Sequence, residues 1–295
     1  MADFADLSAN LPERLDALLA ELLPQPAGPA ARLAEAMAYA VKGGGKRVRA
    51  RLVLLSGQVF GVAPGSCLRT GAAIECLHAY SLIHDDLPCM DDALTRRGKP
   101  ACHRAFDEAT AVLAGDALQA LAFEILSDPL THAQGSVRAE LTLELARAAG
   151  AGGMCAGQMV DLLAQGHVLD LAAIYAMERL KTGALIRFSA QAGGILAQAE
   201  PHHRAALGTY GEALGLAFQI RDDLIDIQGD AEAAGKDLGR DQASAKATPV
   251  ALLGSAGAEA ELDRLAQAAS TALADLPGDV AGLQSLIGFV VNRDR

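Results

Sequence analysis

Cys67-Leu68-Arg69-Thr70-Gly71-Ala72-Ala73-Ile74-Glu75-Cys76-Leu77-His78-Ala79-Tyr80-Ser81-Leu82-Ile83-His84-Asp85-Asp86-Leu87-Pro88-Cys89-Met90-Asp91-Asp92 holds, in order, an apolar run, a helix stop and a cluster of acids. Its apolar residues recur at helical spacing, so the segment reads as a helix from Cys67 to Asp86. Pro88 cannot continue that helix, because it lacks an N–H and its ring clashes with the preceding turn. Four carboxylates (Asp85, Asp86, Asp91 and Asp92) then fall within eight residues. Like charges this close repel and raise one another's pKa. A helix C-terminus, with its negative dipole end, disfavours them again. A run that local electrostatics disfavours twice is a better cation-site candidate than an average solvated acidic patch.

The same periodicity extends outward in both directions. Helices are expected at Leu11–Leu23, Ala30–Lys42, Arg47–Phe60, Phe106–Ser127, Ser136–Ala149 and Met154–Ala164. Further ones are expected at Leu169–Ala199, His202–Gln228, Gln242–Leu253, Ala256–Leu276 and Val280–Asn292. Strand signals are nearly absent. Apolar residues are 51% of the 295, mostly Ala and Leu, aromatics only 4%, and there is no Trp. The expectation is an all-α fold, a single domain over residues 1–295 built of ten to twelve helices. With 25 basic and 36 acidic residues the net charge is −11, which argues against a nucleic-acid partner. The longest stretch free of Asp, Glu, Lys and Arg is Leu52–Leu68, 17 residues broken by Gly57, Gly61, Pro64 and Gly65. A span needs about 20 apolar residues, so no membrane span is expected. The acidic N-terminus is unlike a signal peptide, and five cysteines without a C-x-x-C pair suit a reducing cytoplasm.

A second acid cluster is Asp222-Asp223-Leu224-Ile225-Asp226, whose three- and four-residue spacings put three carboxylates on one helix face. Hard oxygen ligands without a Cys or His pair favour Mg²⁺, which takes one or two carboxylates and completes its shell with phosphate and water. Two basic runs, Lys46-Arg47-Val48-Arg49 after Gly43-Gly44-Gly45 and Arg96-Arg97-Gly98-Lys99, are local exceptions in an acidic chain. The first is not a P-loop, since that motif would need Gly at 40 and Ser or Thr at 47, where Ala40 and Arg47 stand.

Together these pieces resemble the trans-isoprenyl diphosphate synthases, most closely the bacterial farnesyl diphosphate synthases. The resemblance runs through Gly44–Arg49, Glu75–Asp92, Arg96-Arg97-Gly98, Gly153-Met154, Gly157–Leu162, Lys181–Ile186, Phe218–Asp226 and Gly235-Lys236-Asp237. It implies a large helical bundle around a central cavity, a homodimer, and a head-to-tail condensation of isopentenyl diphosphate with an allylic diphosphate. It also implies three Mg²⁺ ions held through Asp85, Asp91 and Asp222, with Asp86 and Asp226 in the metal motifs. Pro88 breaks the helix after Asp85, so Asp91 rather than Asp92 is taken from the family pattern. Arg96, Lys181 and Lys236 would hold the allylic diphosphate, and Lys46, Arg49, His78 and Arg97 the isopentenyl diphosphate. Thr182, Gln219 and the carbonyl of Lys181 would face the carbocation. The tail Arg293-Asp294-Arg295 is similar to one that closes over the diphosphates in some members.

Tyr80 and Ser81 precede Asp85 by five and four residues on the expected helix, which places Tyr80 about 7.5 Å below the diphosphate end. A phenol there would floor the cavity after a short chain, so farnesyl diphosphate is the expected product, with geranyl or geranylgeranyl diphosphate as alternatives. A terpene cyclase is a further alternative with the same fold. A di-iron bundle is suggested only by the Glu75-x-x-His78 and Glu200-x-x-His203 spacings.

Overall fold

The computed structural model describes residues 8–42, 44–164, 166–228 and 248–293. It is 76% helical, and the expectation of an all-α fold holds. The contacts divide the chain into two compact units, Met1–Leu54 with Val62–Thr142, and Leu55–Gly61 with Leu143–Arg295.

The first unit contains α1 (Leu11–Leu22), α2 (Ala31–Val41), the start of α3 (Val48–Val59) and α4 (Pro64–Asp85). A two-residue hairpin, β1 (Thr95–Arg96) with β2 (Lys99–Pro100), follows, then the short α5 (Cys102–Ala105), α6 (Glu108–Ser127) and the start of α7 (Gly135–Ala149). Leu11, Leu15 and Leu19 of α1 recur every fourth residue and are at most 1% exposed. Each stabilises by about 1.5–3 kcal/mol when taken from water. The central helix α4 starts at Pro64, earlier than expected, because a proline costs nothing at the first helical position, where its missing N–H has no partner in any case. It packs along α6, whose N-terminus Asp107 caps by accepting the Thr110 N–H at 2.7 Å.

Helix α6 corrects one expectation. Over an 18-residue window its mean hydropathy is 1.4, so by length and composition it is long and apolar enough to cross a membrane. The count of uncharged residues missed it because Asp116 and Glu124 punctuate the run. It packs against α4, with 44% of that window buried within the structure.

The second unit holds the end of α7, then α8 (Met154–Ala164), α9 (Leu171–Glu178), α10 (Ala184–Leu196), α11 (Pro201–Gln228), α12 (Pro249–Ala272) and α13 (Ala281–Val291). The expected helix Leu169–Ala199 is interrupted by a π turn over Arg179–Gly183. The two helices expected around residue 254 run together as α12, kinked at Gly254, whose φ of 67° is open to glycine at little cost. Tyr210 is fully buried in α11 and donates its hydroxyl to the Leu283 carbonyl at 2.9 Å, tying α13 to α11.

Candidate active site

In the first unit the site grows from the end of α4. Beyond Pro88 the chain recoils onto the helix it has just left. The Asp91 N–H donates to the Asp85 carbonyl at 2.9 Å, and the Ala93 N–H to the Asp86 carbonyl at 3.1 Å. The recoil satisfies carbonyls that a helix end otherwise leaves open. It also sets Asp91 beside Asp85. Asp92, at φ 43°, turns the other way and accepts from Arg104 at 2.8 Å. The Pro88-Cys89 segment thus sorts the acids by geometry where linear helix spacing would have favoured Asp92.

Asp86 behaves differently from its neighbours. Its carboxylate is 3% exposed and grips Arg96 through both oxygens, with Nε 3.1 and 3.2 Å away. Burial pulls the Arg96 pKa down, but the hydrogen bond and charge of Asp86, helped by Asp85 and Asp91, leave it above its ordinary value. The structure therefore joins two expected site residues to each other: Asp86 positions Arg96 at the edge of the cluster. Arg97, its neighbour, is pulled below its ordinary value by burial first and by Arg47 and Arg96 next, with Glu75 opposing. It donates to the Gly44 carbonyl at 2.7 Å. Its guanidinium carbon lies 3.0 Å from where a Cβ at residue 45 would stand, and Gly45 has φ 113°. The glycines before Lys46 let an arginine lie flush on the loop.

Arg47 anchors that loop. Its side chain is 3% exposed and bonds Glu75 at 3.2 Å, Asp16 at 2.7 Å and the Val41 carbonyl at 2.9 Å. Glu75 also accepts the Ala50 N–H at 3.3 Å. Glu75 is therefore spent on holding the basic loop, which removes the first half of the di-iron spacing. Lys46 and Arg49 flank this anchor in the sequence. His78 is pushed well below its ordinary pKa, by burial first and then by Arg49, Arg97, Arg96 and Arg47. Burial and the surrounding arginines thus favour its neutral form, among cations poised for an anion. A small open pocket lies alongside, bordered by Tyr39, Ile83, Asp86, Arg96, Arg97 and Lys99. Tyr80 is 6% exposed with its ring edge-to-face on His84, and Ser81 donates to the His78 carbonyl at 2.9 Å.

In the second unit the π turn presents Lys181 and Thr182. A π turn adds one residue and breaks the regular ladder locally, a form found often at functional sites. Lys181 Nζ lies 2.5 Å from Asp161 Oδ2 on α8. Gly157 makes the approach feasible, since a Cβ there would stand 2.2 Å from the Lys181 backbone nitrogen. Thr182 Oγ1 donates to Gln219 Oε1 at 3.4 Å, and Gln219 Nε2 donates to Asp223 Oδ1 at 3.0 Å. Asp223 is 4% exposed, so it does not share the accessible face of Asp222 and Asp226 as its spacing suggested; it orients Gln219 instead. Asp222 pairs with Arg293 at 2.8 Å. Arg293 also donates to the Phe218 carbonyl at 2.8 Å and lies 3.8 Å over the Phe218 ring. Lys236, Asp294, Arg295 and the segment Gly229–Asp241 lie outside the described residues.

Arg47, Glu75 and Asp161 were not expected in the site. The only sequence signal for them was membership of the quoted motifs. Among the described residues no three acid, imidazole or thiol groups converge on one point. The accessible donors are hard carboxylate oxygens, one or two per motif, which is the number Mg²⁺ takes from a protein when phosphate and water supply the rest.

The sequence model of the polyprenyl synthetase family matches residues 30–277. The chain belongs to this family. Among relatives, the farnesyl diphosphate synthase of Escherichia coli is 44% identical over 267 residues, 88% of this chain and 89% of that protein. An apo FPP/GFPP synthase structure from Zymomonas mobilis superposes with a TM-score of 0.89 at 44% identity, over 98% of this chain and 99% of that one. A Helicobacter pylori geranyltransferase, solved with magnesium and isoprenyl diphosphate, gives a TM-score of 0.85 at 31% identity, over 99% and 97% of the two chains. The matched residues take in the Asp85–Asp92 and Asp222–Asp226 motifs together.

Proposed function

We propose that the chain is a farnesyl diphosphate synthase. It joins isopentenyl diphosphate head-to-tail to dimethylallyl or geranyl diphosphate and releases diphosphate. The observation that carries this reading is the backbone bond that brings Asp91 back to Asp85 at the helix end, beside a cluster of arginines around His78. Asp85, Asp91, Asp222 and Asp226 would hold Mg²⁺, with three ions the number in the resemblance. When bound, these ions stabilise the charge that develops on the departing diphosphate.

The chain's own residues supply the rest. Arg96, fixed by Asp86, and Lys181, steadied by Asp161, bind the allylic diphosphate, joined by Lys236. Lys46, Arg49, Arg97 and the imidazole N–H of His78 bind isopentenyl diphosphate. Thr182, Gln219 and the Lys181 carbonyl turn lone pairs toward the cation without being good nucleophiles. Tyr80, with Ser81, ends the cavity at fifteen carbons. The condensation's last step loses a proton from the new chain, and the released diphosphate is its acceptor.

Residues 1–295 work as one synthase domain, supported by a family match that runs through both units. The cytoplasm is its compartment, supported by five free cysteines, three of them buried. A homodimer is supported by α6, on which Leu113 is 57% and Val112 38% exposed. Purified protein given geranyl and isopentenyl diphosphates should yield a C15 diphosphate with Mg²⁺ and nothing with chelator. A C20 product would keep the reaction and refute the Tyr80 floor. A cyclised hydrocarbon would refute the synthase reading.

A further inference from the structure

His84 sits in a socket that the reaction does not explain. A Cβ on residue 115 of α6 would stand 2.2 Å from its Nε2, 2.6 Å from Cδ2 and 2.9 Å from Cε1, so the imidazole fills the place that Gly115 leaves open. Nε2 lies 3.1 Å from the Val112 carbonyl. A carbonyl only accepts, so Nε2 carries the proton and the tautomer is fixed. The ring also meets the Tyr80 ring edge-on, centroids 5.6 Å apart and planes at 82°. Tyr80 and His84 are four apart on α4 and share one face. A line of contact thus runs from the backbone of α6 through His84 to the phenol. The imidazole therefore links the phenol to the backbone of α6.

We propose that His84, seated in the Gly115 socket, is the positioning residue that sets the height of the Tyr80 floor and through it the product length. The proposal rests on the reading that Tyr80 ends the cavity. His84 touches neither substrate nor reacting atoms; it acts through the tyrosine.

The test compares product chain lengths from geranyl and isopentenyl diphosphates across variants, by mass spectrometry. Tyr80→Ala is the control and should raise the C20 to C15 ratio. His84→Ala should raise the same ratio about two- to tenfold, the factor equivalent to losing one edge-to-face ring pair. His84→Gln keeps a donor for the Val112 carbonyl without the flat ring, guards against misfolding, and should shift the ratio the same way at near-native melting temperature. Gly115→Ala drives the imidazole toward Tyr80, lifts the floor and should make the enzyme stop early, releasing C10 when fed dimethylallyl diphosphate. In the double variant His84→Ala with Gly115→Ala the new methyl enters the vacated space. Its melting temperature should match that of His84→Ala alone, a non-additivity that contact requires. A shift with Tyr80→Ala but wild-type products from His84→Ala, His84→Gln and Gly115→Ala overturns the proposal and leaves the floor intact. An unchanged C15 product from Tyr80→Ala overturns both.

Discussion

Glu75→Ala is the sharpest probe of how the basic loop is held. The variant removes a carboxylate that is 3% exposed and leaves Arg47, also 3% exposed, short of one partner. Breaking a buried pair from one side costs about 3–5 kcal/mol, because the surviving charge is stranded. Asp16 still binds Arg47 at 2.7 Å, but it is 45% exposed and compensates weakly. The loss therefore falls near the lower bound, about 3 kcal/mol. At the shallow slope of about 2 °C per kcal/mol that suits large domains, the melting temperature drops about 6 °C. The Ala50 N–H, which Glu75 accepts at 3.3 Å, loses its acceptor as well. Lys46 and Arg49 ride on this loop, so KM for isopentenyl diphosphate should rise about tenfold, the equivalent of one charge-assisted hydrogen bond out of place, while kcat changes less. Calorimetry and steady-state kinetics on Glu75→Ala, with Glu75→Gln lying between it and wild type, make the assay. A melting temperature within 1 °C of wild type, as an order-of-magnitude limit, together with an unchanged KM, would refute the anchor.

Gly157→Ala should destabilise by about 1–3 kcal/mol or more and lower kcat, since its methyl must push back the Lys181 backbone 2.2 Å away; thermal unfolding and single-turnover rates check this. Asp107 is held down to about 2, first by the Thr110 N–H, then by Arg32 and the Thr110 hydroxyl. A depressed carboxylate contributes stability above its unfolded value of about 3.9 that is lost as pH falls toward 2, so Asp107→Asn should flatten the acid limb of a melting curve between these limits. Burial pushes the Cys67 and Cys76 thiols up to about 12 and Cys102 to about 11, whereas Cys89 and Cys155 are exposed. Native alkylation read by mass should therefore stop at two adducts, and five fast adducts would contradict the packing.

Much of the helical frame was legible because apolar periodicity and proline are local signals. Pro88 marks its helix end, and Pro64 marks the start, since a proline is well placed at the first helical position. The hairpin was overlooked because Arg96-Arg97-Gly98-Lys99 read as charge, although Arg97 and Gly98 at φ 53° and 73° are the turn. The acid motifs stood out by composition. What each acid does depends on partners far away in sequence. Asp86 and Arg96 are ten residues apart, Asp222 and Arg293 far more, and no spacing rule reaches that distance. Asp223 was placed on the wrong face because ideal spacing cannot say which side of α11 is covered.

The π turn at Arg179–Gly183 makes this stretch sensitive to the reading frame of the helix itself. It holds one residue more than a regular turn would. Removing a single residue such as Leu180 would heal the ladder into an unbroken α-helix, a locally better structure. The helices on either side would keep their faces, because the π turn absorbs only its extra residue, and Leu185, Ile186 and Phe188 would stay in the core. The residues of the turn itself would move round by about 100°, and Lys181 would leave Asp161. Along this segment a one-residue deletion therefore repairs the helix and takes the lysine out of the site.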